Sequence, residues 1–189
     1  MIETPPTEDP RPDGLRVAKS LVIVNTGHGK GKTTAALGMV MRAVAQGWQV
    51  AVVQFLKSGD WKVGEEDVAK RLLGVEWIAI GEGFTWESSD LTIDAAVAQE
   101  AWRTARTLIE AGKHRLVMLD EITYAMNFGW IDTADVVAAI TGRPEHVNIV
   151  LTGRDAPNAI IEVADTVTEM RKVKHAYDNG IVAKKGLDY

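Results

Sequence analysis

A ten-residue segment at 25–34, Asn-Thr-Gly-His-Gly-Lys-Gly-Lys-Thr-Thr, constrains the fold of this chain more than any other part of it. It directly follows an apolar run at 21–24 that is typical of a strand, and it opens an amphipathic stretch at 33–46 that is typical of a helix. A turn rich in glycine and lysine between a strand and a helix is the setting in which phosphate-binding loops occur. The segment therefore predicts an anion-binding loop that leads into the first helix of an α/β domain.

Each residue type in this loop has a physical role in holding a phosphate chain. Gly27, Gly29 and Gly31 allow successive backbone N–H groups to turn inward and form an anion-binding nest. The Lys32 ammonium can reach the phosphates, and the Thr33 hydroxyl can ligate magnesium. The usual pattern has its first glycine at position 26, where this chain has threonine, with a glycine one place later.

The composition narrows the chemistry that the chain can perform. Its 189 residues suit one compact domain, and 46% apolar with 25% charged residues is typical of a soluble globular protein. The 21 basic and 26 acidic residues leave a net charge of -5, which argues against broad non-specific nucleic-acid binding. The absence of cysteine excludes thiolate nucleophiles, disulfides and iron–sulfur clusters.

Short apolar runs alternate with amphipathic stretches along the rest of the chain. The apolar runs predict strands at 21–24, 50–55, 75–80, 116–119, 147–151 and 167–170. The amphipathic stretches predict helices at 33–46, 91–111, 132–141 and 155–163, the last with Pro157 in its first turn. Because strand and helix alternate, we expect an α/β fold of three layers, with a mostly parallel sheet covered by helices on both faces.

The N-terminal segment differs in composition from the rest. Four of the six prolines fall within the first twelve residues, so 1–18 is expected to be a tail, either disordered or an arm that folds over a site or onto a partner subunit. Residues 19–189 are expected to form a single domain. The chain has neither a signal-peptide pattern nor an apolar run near the roughly 18 residues of a membrane helix, so a cytoplasmic location is expected.

A second chemical signal is Leu-Val-Met-Leu-Asp-Glu at 116–121, an apolar strand that ends in two carboxylates. The carboxyl ends of parallel strands meet at one edge of the sheet, beside the predicted phosphate loop. There Asp120 or Glu121 can hold magnesium, directly or through water. Many strands end in an acidic residue, so it is the pairing with the loop that points to a metal role.

A third signal is Gly-Glu-Gly-Phe-Thr-Trp-Glu at 81–87, which lies outside the predicted strands and helices. Phe84 and Trp86 are large aromatic side chains within a glycine-flanked stretch. They fit either the core of a long loop or a flat apolar wall for a large planar ligand.

Several of these segments together resemble one protein family. The chain contains, in order, GHGKGKTTAALG, GEGFTWE, LVMLDEITYA, LTGRDAP and VTEMRKVKHAYDNGIVAKKGLDY. In these motifs, from about residue 21 to 189, it resembles the ATP:corrinoid adenosyltransferases of the recombinase-type (RecA-type) phosphate-loop class, and the shifted first glycine agrees with that family. Small departures are His28, where asparagine or aspartate is expected, Asp155, where glycine is common, and Ala176-Tyr177 in place of Pro-Phe.

The resemblance implies an activity and a set of partners. A reduced Co(I) corrinoid, cobalamin or cobyrinic acid a,c-diamide, would take the 5′-deoxyadenosyl group of ATP and release triphosphate. The expected cofactor is magnesium or manganese. A homodimer is expected, with a flavoprotein as electron donor.

The resemblance also implies roles for individual residues. The catalytic set would be Lys32, Glu121, Phe84 and Trp86, the two aromatic residues helping to remove the lower axial ligand of cobalt. Magnesium would be held by Thr33, Asp120 and Glu121. The ATP contacts would be Gly27, His28, Gly29, Lys30, Gly31, Lys32, Thr33, Thr34, Arg42 and Arg154, although Arg42 also fits a solvated helix residue.

Other functions remain open on the residues themselves. A small-molecule kinase or ATPase would use the same loop and carboxylates, and it would also need a residue that orients the group attacking the terminal phosphate. A nucleic-acid-binding module is disfavoured by the acidic balance. A cobalamin-carrying protein is disfavoured because the chain lacks an aspartate two residues before a histidine.

Overall fold

The computed structural model describes residues 12–56, 64–80 and 91–188. Its strands are β1 (Val22–Thr26), β2 (Val50–Gln54), β3 (Glu76–Ala79), β4 (Leu116–Asp120), β5 (Asn148–Thr152) and β6 (Thr166–Glu169). Its helices are α1 (Lys32–Ala45), α2 (Gly64–Leu73), α3 (Leu91–Ala111), α4 (Ile122–Asn127), α5 (Thr133–Thr141) and α6 (Asn158–Val163), and a 3-10 turn follows at Ala176–Asn179.

The six strands form one sheet in the order β3-β2-β4-β5-β1-β6, and every pairing in it is parallel. The prediction of a mostly parallel sheet is confirmed. One strand, β5, separates β1, which leads into the glycine-rich loop, from β4, which ends in the carboxylates. All carboxyl ends therefore meet at one edge of the sheet, where a ligand is expected in such folds.

Helices cover both faces of the sheet, as the alternation of elements predicts. On one face α1 and α2 pack on a buried cluster that includes Val52 and Met118. On the other face α3, α4, α5 and α6 pack on a cluster that includes Val53 and Leu119. Neighbouring residues of a strand point to opposite faces, so strands covered on both sides need apolar residues at consecutive positions. The result is the three-layer arrangement of the recombinase-type phosphate-loop fold.

Some boundaries differ from the sequence prediction. Strand ends shift by one or two residues, and α6 begins at Asn158, so the predicted helix at 155–163 is wrong in its first three residues. Pro157 lies before that helix with an extended ψ of 142°, and Asp155 has a left-handed φ of 51°. Strand β6 at the sheet edge is exposed along its length, so the predicted cover of the sheet does not extend to it.

The helices α2 and α4 and the 3-10 turn were not predicted. Helix α4 and the 3-10 turn are too short to show much periodicity, whereas α2 is longer than α5 and is amphipathic, so its pattern was present in the sequence and was missed. Within the described residues, none of the helices combines the length and the hydropathy needed to cross a membrane.

Candidate functional site

The glycine-rich loop between β1 and α1 is shaped by the chain that leaves β6. Gly27 and Gly31 have φ values of 91° and 111°, a region that side chains other than glycine rarely adopt. The Gly29 N–H donates to the Met170 carbonyl at 2.5 Å. A Cβ atom on Gly27 would lie 2.6 Å from the same carbonyl oxygen. The glycines therefore permit both the turn of the loop and a close backbone crossing above it.

Lys32 begins α1 and folds back over the loop. Its Nζ donates to the Gly29 carbonyl at 2.8 Å. Partial burial lowers the pKa of the Lys32 ammonium, and the positive charge of Arg154 lowers it further, while Glu121 and Asp120 act in the opposite direction. Lys32 and Arg154 are therefore close enough to affect each other's charge, and two such cations favour an anionic ligand.

Asp120, at the end of β4, is buried beneath the loop. Its Oδ1 accepts hydrogen bonds from the hydroxyls of Thr33 at 2.8 Å and Thr152 at 2.7 Å. Its Oδ2 accepts a hydrogen bond from the Gln54 amide at 3.1 Å. The carboxylate thus connects the first turn of α1 with the ends of β2 and β5.

Glu121 forms the turn from β4 into α4. Its φ of 62° is left-handed, and it occupies the N-cap position of α4. Its N–H donates to the Thr152 hydroxyl at 2.9 Å. This turn reverses the chain at the sheet edge and places Glu121 in the wall of the cavity described below.

The turn after β5 carries Arg154 and is held from below by α4. The Thr123 hydroxyl donates to the Arg154 carbonyl at 2.6 Å, and the Asn127 amide donates to the Asp155 carbonyl at 3.0 Å. The Asp155 side chain faces the loop, where its Oδ1 lies 3.1 Å from His28 Nε2. Two of the departures from the family pattern, His28 and Asp155, are therefore in contact with each other.

A cavity of about 510 Å³ lies over the loop, within the size range of small-molecule and cofactor sites. Its wall carries both signs of charge: four cations, Lys30, Lys32, Arg154 and Lys172, and four carboxylates, Glu65, Glu121, Asp178 and Asp188. Lys30 pairs with Asp188 and Lys172 with Asp178. The remaining lining residues are His28, Gly29, Gly31, Thr33, Thr34, Tyr124, His175 and Tyr177.

Most of the predicted ligand contacts are brought together by this cavity. Residues 28–34 line it together with Glu121 and Arg154, while Asp120 lies behind Thr33. Gly27 is packed under Met170 and is not among the lining residues. Arg42 is exposed in the last turn of α1, about 15 Å along the helix axis from Lys32, and does not line the cavity. Its contact with ATP stays a prediction.

Phe84 and Trp86 lie outside the described residues, as does most of the N-terminal tail at 1–18. Their predicted roles therefore stay predictions.

Several residues of the site were not predicted from the sequence. Tyr124 lines the cavity, and burial raises the pKa of its phenol. It follows Glu121 by three positions, and the i, i+3 spacing of a helix beginning there would have indicated it. Asp178 and Asp188 arrive from the C-terminal segment, where Asp188 forms an ion pair with Lys30. No local signal marks that approach.

The oxygen atoms beneath the loop suit a hard cation. Thr33, Asp120 and Glu121 offer a hydroxyl and carboxylates, the ligand types of Mg²⁺. In the described part of the chain, no group of three or more His, Asp or Glu side chains is arranged to hold a metal by itself. Mg²⁺ commonly binds through one or two carboxylates together with substrate phosphates, and Asp120 and Glu121 are two carboxylates next to the loop.

Comparison with known proteins points to one enzyme family. The model of a family described as ATP:corrinoid adenosyltransferase BtuR/CobO/CobP matches residues 18–189. The chain is 44% identical over 174 residues to a corrinoid adenosyltransferase of Sinorhizobium sp, covering 90% of this chain and 81% of the relative. It is 42% identical over 171 residues to a corrinoid adenosyltransferase of Escherichia coli strain K12, covering 90% and 86%. It is 40% identical, with the same coverage, to the corrinoid adenosyltransferase CobA of Salmonella typhimurium.

Proposed function

The chain belongs to the ATP:corrinoid adenosyltransferase family, whose members transfer the adenosyl group of ATP to a corrinoid in cobalamin biosynthesis, and we propose that its cavity holds the triphosphate of ATP as the leaving group. The observation that carries the proposal is the convergence of Lys32, Arg154 and the glycine-rich loop on one cavity. The protein is thus an ATP:corrinoid adenosyltransferase, and the roles of its individual residues in the reaction are proposed as follows.

The proposed reaction is a displacement at the 5′ carbon of ATP. The Co(I) centre of the corrinoid substrate supplies an electron pair and forms the Co–C bond. The bond from C5′ to the phosphate oxygen breaks, and its electron pair leaves with triphosphate, so cobalt ends as Co(III). The nucleophile belongs to the substrate, so the protein needs no activated serine or cysteine, and the chain contains no cysteine.

The task left to the protein is to position the nucleotide and to stabilise the negative charge that develops on the leaving group. Lys32 and Arg154 supply positive charge next to the loop. Lys30 and Lys172 also line the cavity, where they pair with Asp188 and Asp178. The remaining loop residues, His28 and Thr34 among them, complete the proposed nucleotide contacts. Arg42 would contribute only if the nucleotide extends along α1.

Magnesium, or manganese in its place, is proposed to be held by Thr33, Asp120 and Glu121. When bound there with the nucleotide, the ion would neutralise part of the triphosphate charge. The chain's own contribution is to hold the Thr33 hydroxyl against Asp120 and to keep Glu121 in the cavity wall.

Phe84 and Trp86 are proposed to contact the corrinoid and to help remove the lower axial ligand of cobalt, because a dry apolar face offers the metal no replacement donor. Phe84→Ala and Trp86→Ala are then expected to suppress turnover from Co(II) corrinoid while ATP affinity stays near that of the wild type. Equal losses of ATP affinity and turnover would contradict this role.

The biological setting is also a proposal. We propose a homodimer, in agreement with the general preference of homo-oligomers for two-fold symmetry, with residues 1–18 as an arm that reaches a site. A flavoprotein is proposed to supply the electron for cobalt reduction in the cytoplasm. The acceptor is proposed to be cobalamin or cobyrinic acid a,c-diamide.

The test of the leaving group is product analysis. The protein is incubated with ATP, Mg²⁺ and chemically reduced corrinoid, and the light-sensitive spectrum of the Co–C bond is followed together with the phosphate products. Equal amounts of alkylated corrinoid and triphosphate are expected. Release of ADP or AMP without alkylation would support a kinase or ATPase instead.

A matched pair of lysine variants tests the role of the cavity. Lys32→Ala is expected to lower kcat/KM by about 100-fold or more, because it removes a charge aimed at the leaving group. Lys174→Ala removes an exposed lysine that does not line the cavity, and it is expected to leave kcat/KM within about twofold of the wild type. Similar losses in the two variants would contradict the proposed site.

A further inference from the structure

We propose that Gln54 and Trp77 are positioning residues that orient the Asp120 carboxylate and thereby determine how tightly the site holds the magnesium complex of ATP. The proposal rests on the metal role proposed above for Asp120. Neither Gln54 nor Trp77 lines the cavity, and neither carries a charge.

The three side chains form a buried chain of hydrogen bonds across neighbouring strands. Trp77 Nε1, on β3, donates to Gln54 Oε1 at 3.2 Å. Gln54 Nε2, at the end of β2, donates to Asp120 Oδ2 at 3.1 Å. The residues are 6%, 2% and 1% exposed, respectively. The register of the sheet places Gln54 directly opposite Asp120, so the contact follows from strand pairing.

The indole of Trp77 determines which end of the Gln54 amide faces Asp120. An amide has a donor end and an acceptor end of nearly the same shape, whereas an indole N–H can only donate. The Gln54 oxygen must therefore face Trp77, and the Gln54 NH₂ group must face the carboxylate. The opposite orientation would bring an amide oxygen against a buried carboxylate and leave the indole N–H without its acceptor, which is costly in a buried site.

The orientation of the Asp120 carboxylate affects the glycine-rich loop through its second oxygen, Oδ1. Asp120 Oδ1 accepts the hydroxyls of Thr33 and Thr152, so a rotation of the carboxylate displaces the first turn of α1. Residues that hold metal ligands in place change metal affinity or activity by about 10- to 100-fold when they are mutated. Trp77, on β3, lies two strands away from β4, which carries Asp120, and it is connected to Asp120 through Gln54.

A purely structural role for Trp77 is the alternative, because Trp77 also belongs to the buried cluster beneath α1 and α2. The chain offers a matched control for that alternative. Trp102 is equally buried at 6% exposed, and its Nε1 donates to Asp135 Oδ2 at 2.6 Å in the cluster on the opposite face of the sheet. Trp77→Phe and Trp102→Phe each remove one buried indole N–H and keep an aromatic ring, but only the first variant touches the chain that leads to Asp120.

The experiment compares ATP affinity with Mg²⁺ and with EDTA by calorimetry, without corrinoid, in the wild type and in Trp77→Phe, Gln54→Leu and Trp102→Phe. We expect the affinity for ATP in the presence of Mg²⁺ to fall about 10-fold or more in Gln54→Leu and about 3- to 10-fold in Trp77→Phe. Affinity in EDTA is expected to change less than about twofold in both variants. Trp102→Phe is expected to lower Tm and to leave unchanged the factor by which Mg²⁺ increases the affinity for ATP. Because Trp77 acts through Gln54, the double variant should bind no more weakly than Gln54→Leu alone.

The outcomes separate this proposal from the one on which it rests. A wild type whose ATP affinity does not depend on Mg²⁺ would overturn the metal role and this proposal with it. A metal-dependent wild type together with Trp77→Phe and Gln54→Leu variants that respond like Trp102→Phe would overturn the positioning role alone. Equal losses of ATP affinity with Mg²⁺ and with EDTA in Trp77→Phe and Gln54→Leu would also overturn the positioning role alone. If Trp77→Phe does not fold, Gln54→Leu decides by the same measurement.

Discussion

Replacing Gly27 by alanine is expected to destabilise the protein for two separable reasons. The residue has a φ of 91°, which an alanine adopts only with strain of roughly 1–2 kcal/mol. The new Cβ would lie 2.6 Å from the Met170 carbonyl oxygen and 2.8 Å from the Met170 nitrogen. Both are backbone atoms of the chain that leaves β6, so relief requires a backbone shift, which costs about 1–3 kcal/mol. The sum is a loss of about 2–5 kcal/mol in the free energy of unfolding.

Three further glycines divide this loss into its parts. Gly29→Ala has the steric conflict alone, with a Cβ that would lie 2.7 Å from the Met170 oxygen and no positive φ. Gly31→Ala has the backbone strain alone, at a φ of 111°, because its Cβ would meet only the flexible Met170 sulfur at 3.6 Å. Gly38→Ala lies within α1 in open space, and it is expected to stabilise the protein by about 0.5–1 kcal/mol.

Urea denaturation of the four variants measures the free energies, and ATP calorimetry shows whether the loop still binds. For a chain of this length, 1 kcal/mol corresponds to about 2–4 °C in Tm. The expected order of loss places Gly27→Ala first, Gly29→Ala and Gly31→Ala between, and Gly38→Ala as a gain. A Gly27→Ala variant no less stable than Gly31→Ala would show that the crossing of Met170 imposes no constraint, and the reasoning would be refuted.

Three other perturbations test the electrostatics of the cavity. Burial and the charge of Arg154 lower the pKa of Lys32, and only its protonated form attracts phosphate, so ATP affinity should decline as the pH rises at values below the usual lysine pKa of about 10.4. Calorimetry between pH 8 and 10 should show that decline in the wild type and not in Lys32→Arg, whose guanidinium stays charged. Asp188→Asn removes the carboxylate that pairs with Lys30, and this carboxylate is expected to compete with the phosphates of ATP for Lys30. The variant should therefore bind ATP about 1.5- to 5-fold more tightly at low salt. Unchanged or weaker binding would count against that competition. The side chains of His28 and Asp155 are about two-thirds exposed. A double-mutant cycle with alanine should therefore give a coupling energy below about 1 kcal/mol in the free energy of unfolding, and added NaCl should reduce it. A larger coupling energy that does not depend on salt would contradict the description of this contact as an exposed ion pair.

Local patterns account for the parts of the site that come from one segment of chain. The glycine and lysine spacing at 25–34 predicts the loop, because a strand, a flexible turn and a helix N-terminus are consecutive in sequence. The apolar run ending in Asp120 and Glu121 predicts carboxylates at the sheet edge for the same reason. The alternation of strands and helices is sufficient for the fold class. The prediction missed α4, whose six residues carry little periodicity, and α2, whose amphipathic pattern was present in the sequence.

The sequence by itself therefore determined the glycine-rich loop and the acidic strand end, since each depends on residues that are neighbours along the chain. The alternation of strands and helices was sufficient to indicate that the sheet is parallel. Only the tertiary structure decided that Arg154 lines the cavity while Arg42 lies at the far end of α1. It also decided that Met170 crosses the loop and that Trp77, through Gln54, reaches Asp120. These contacts depend on which strands are adjacent in the sheet and on the register between them, and strand order is set by packing of the whole chain.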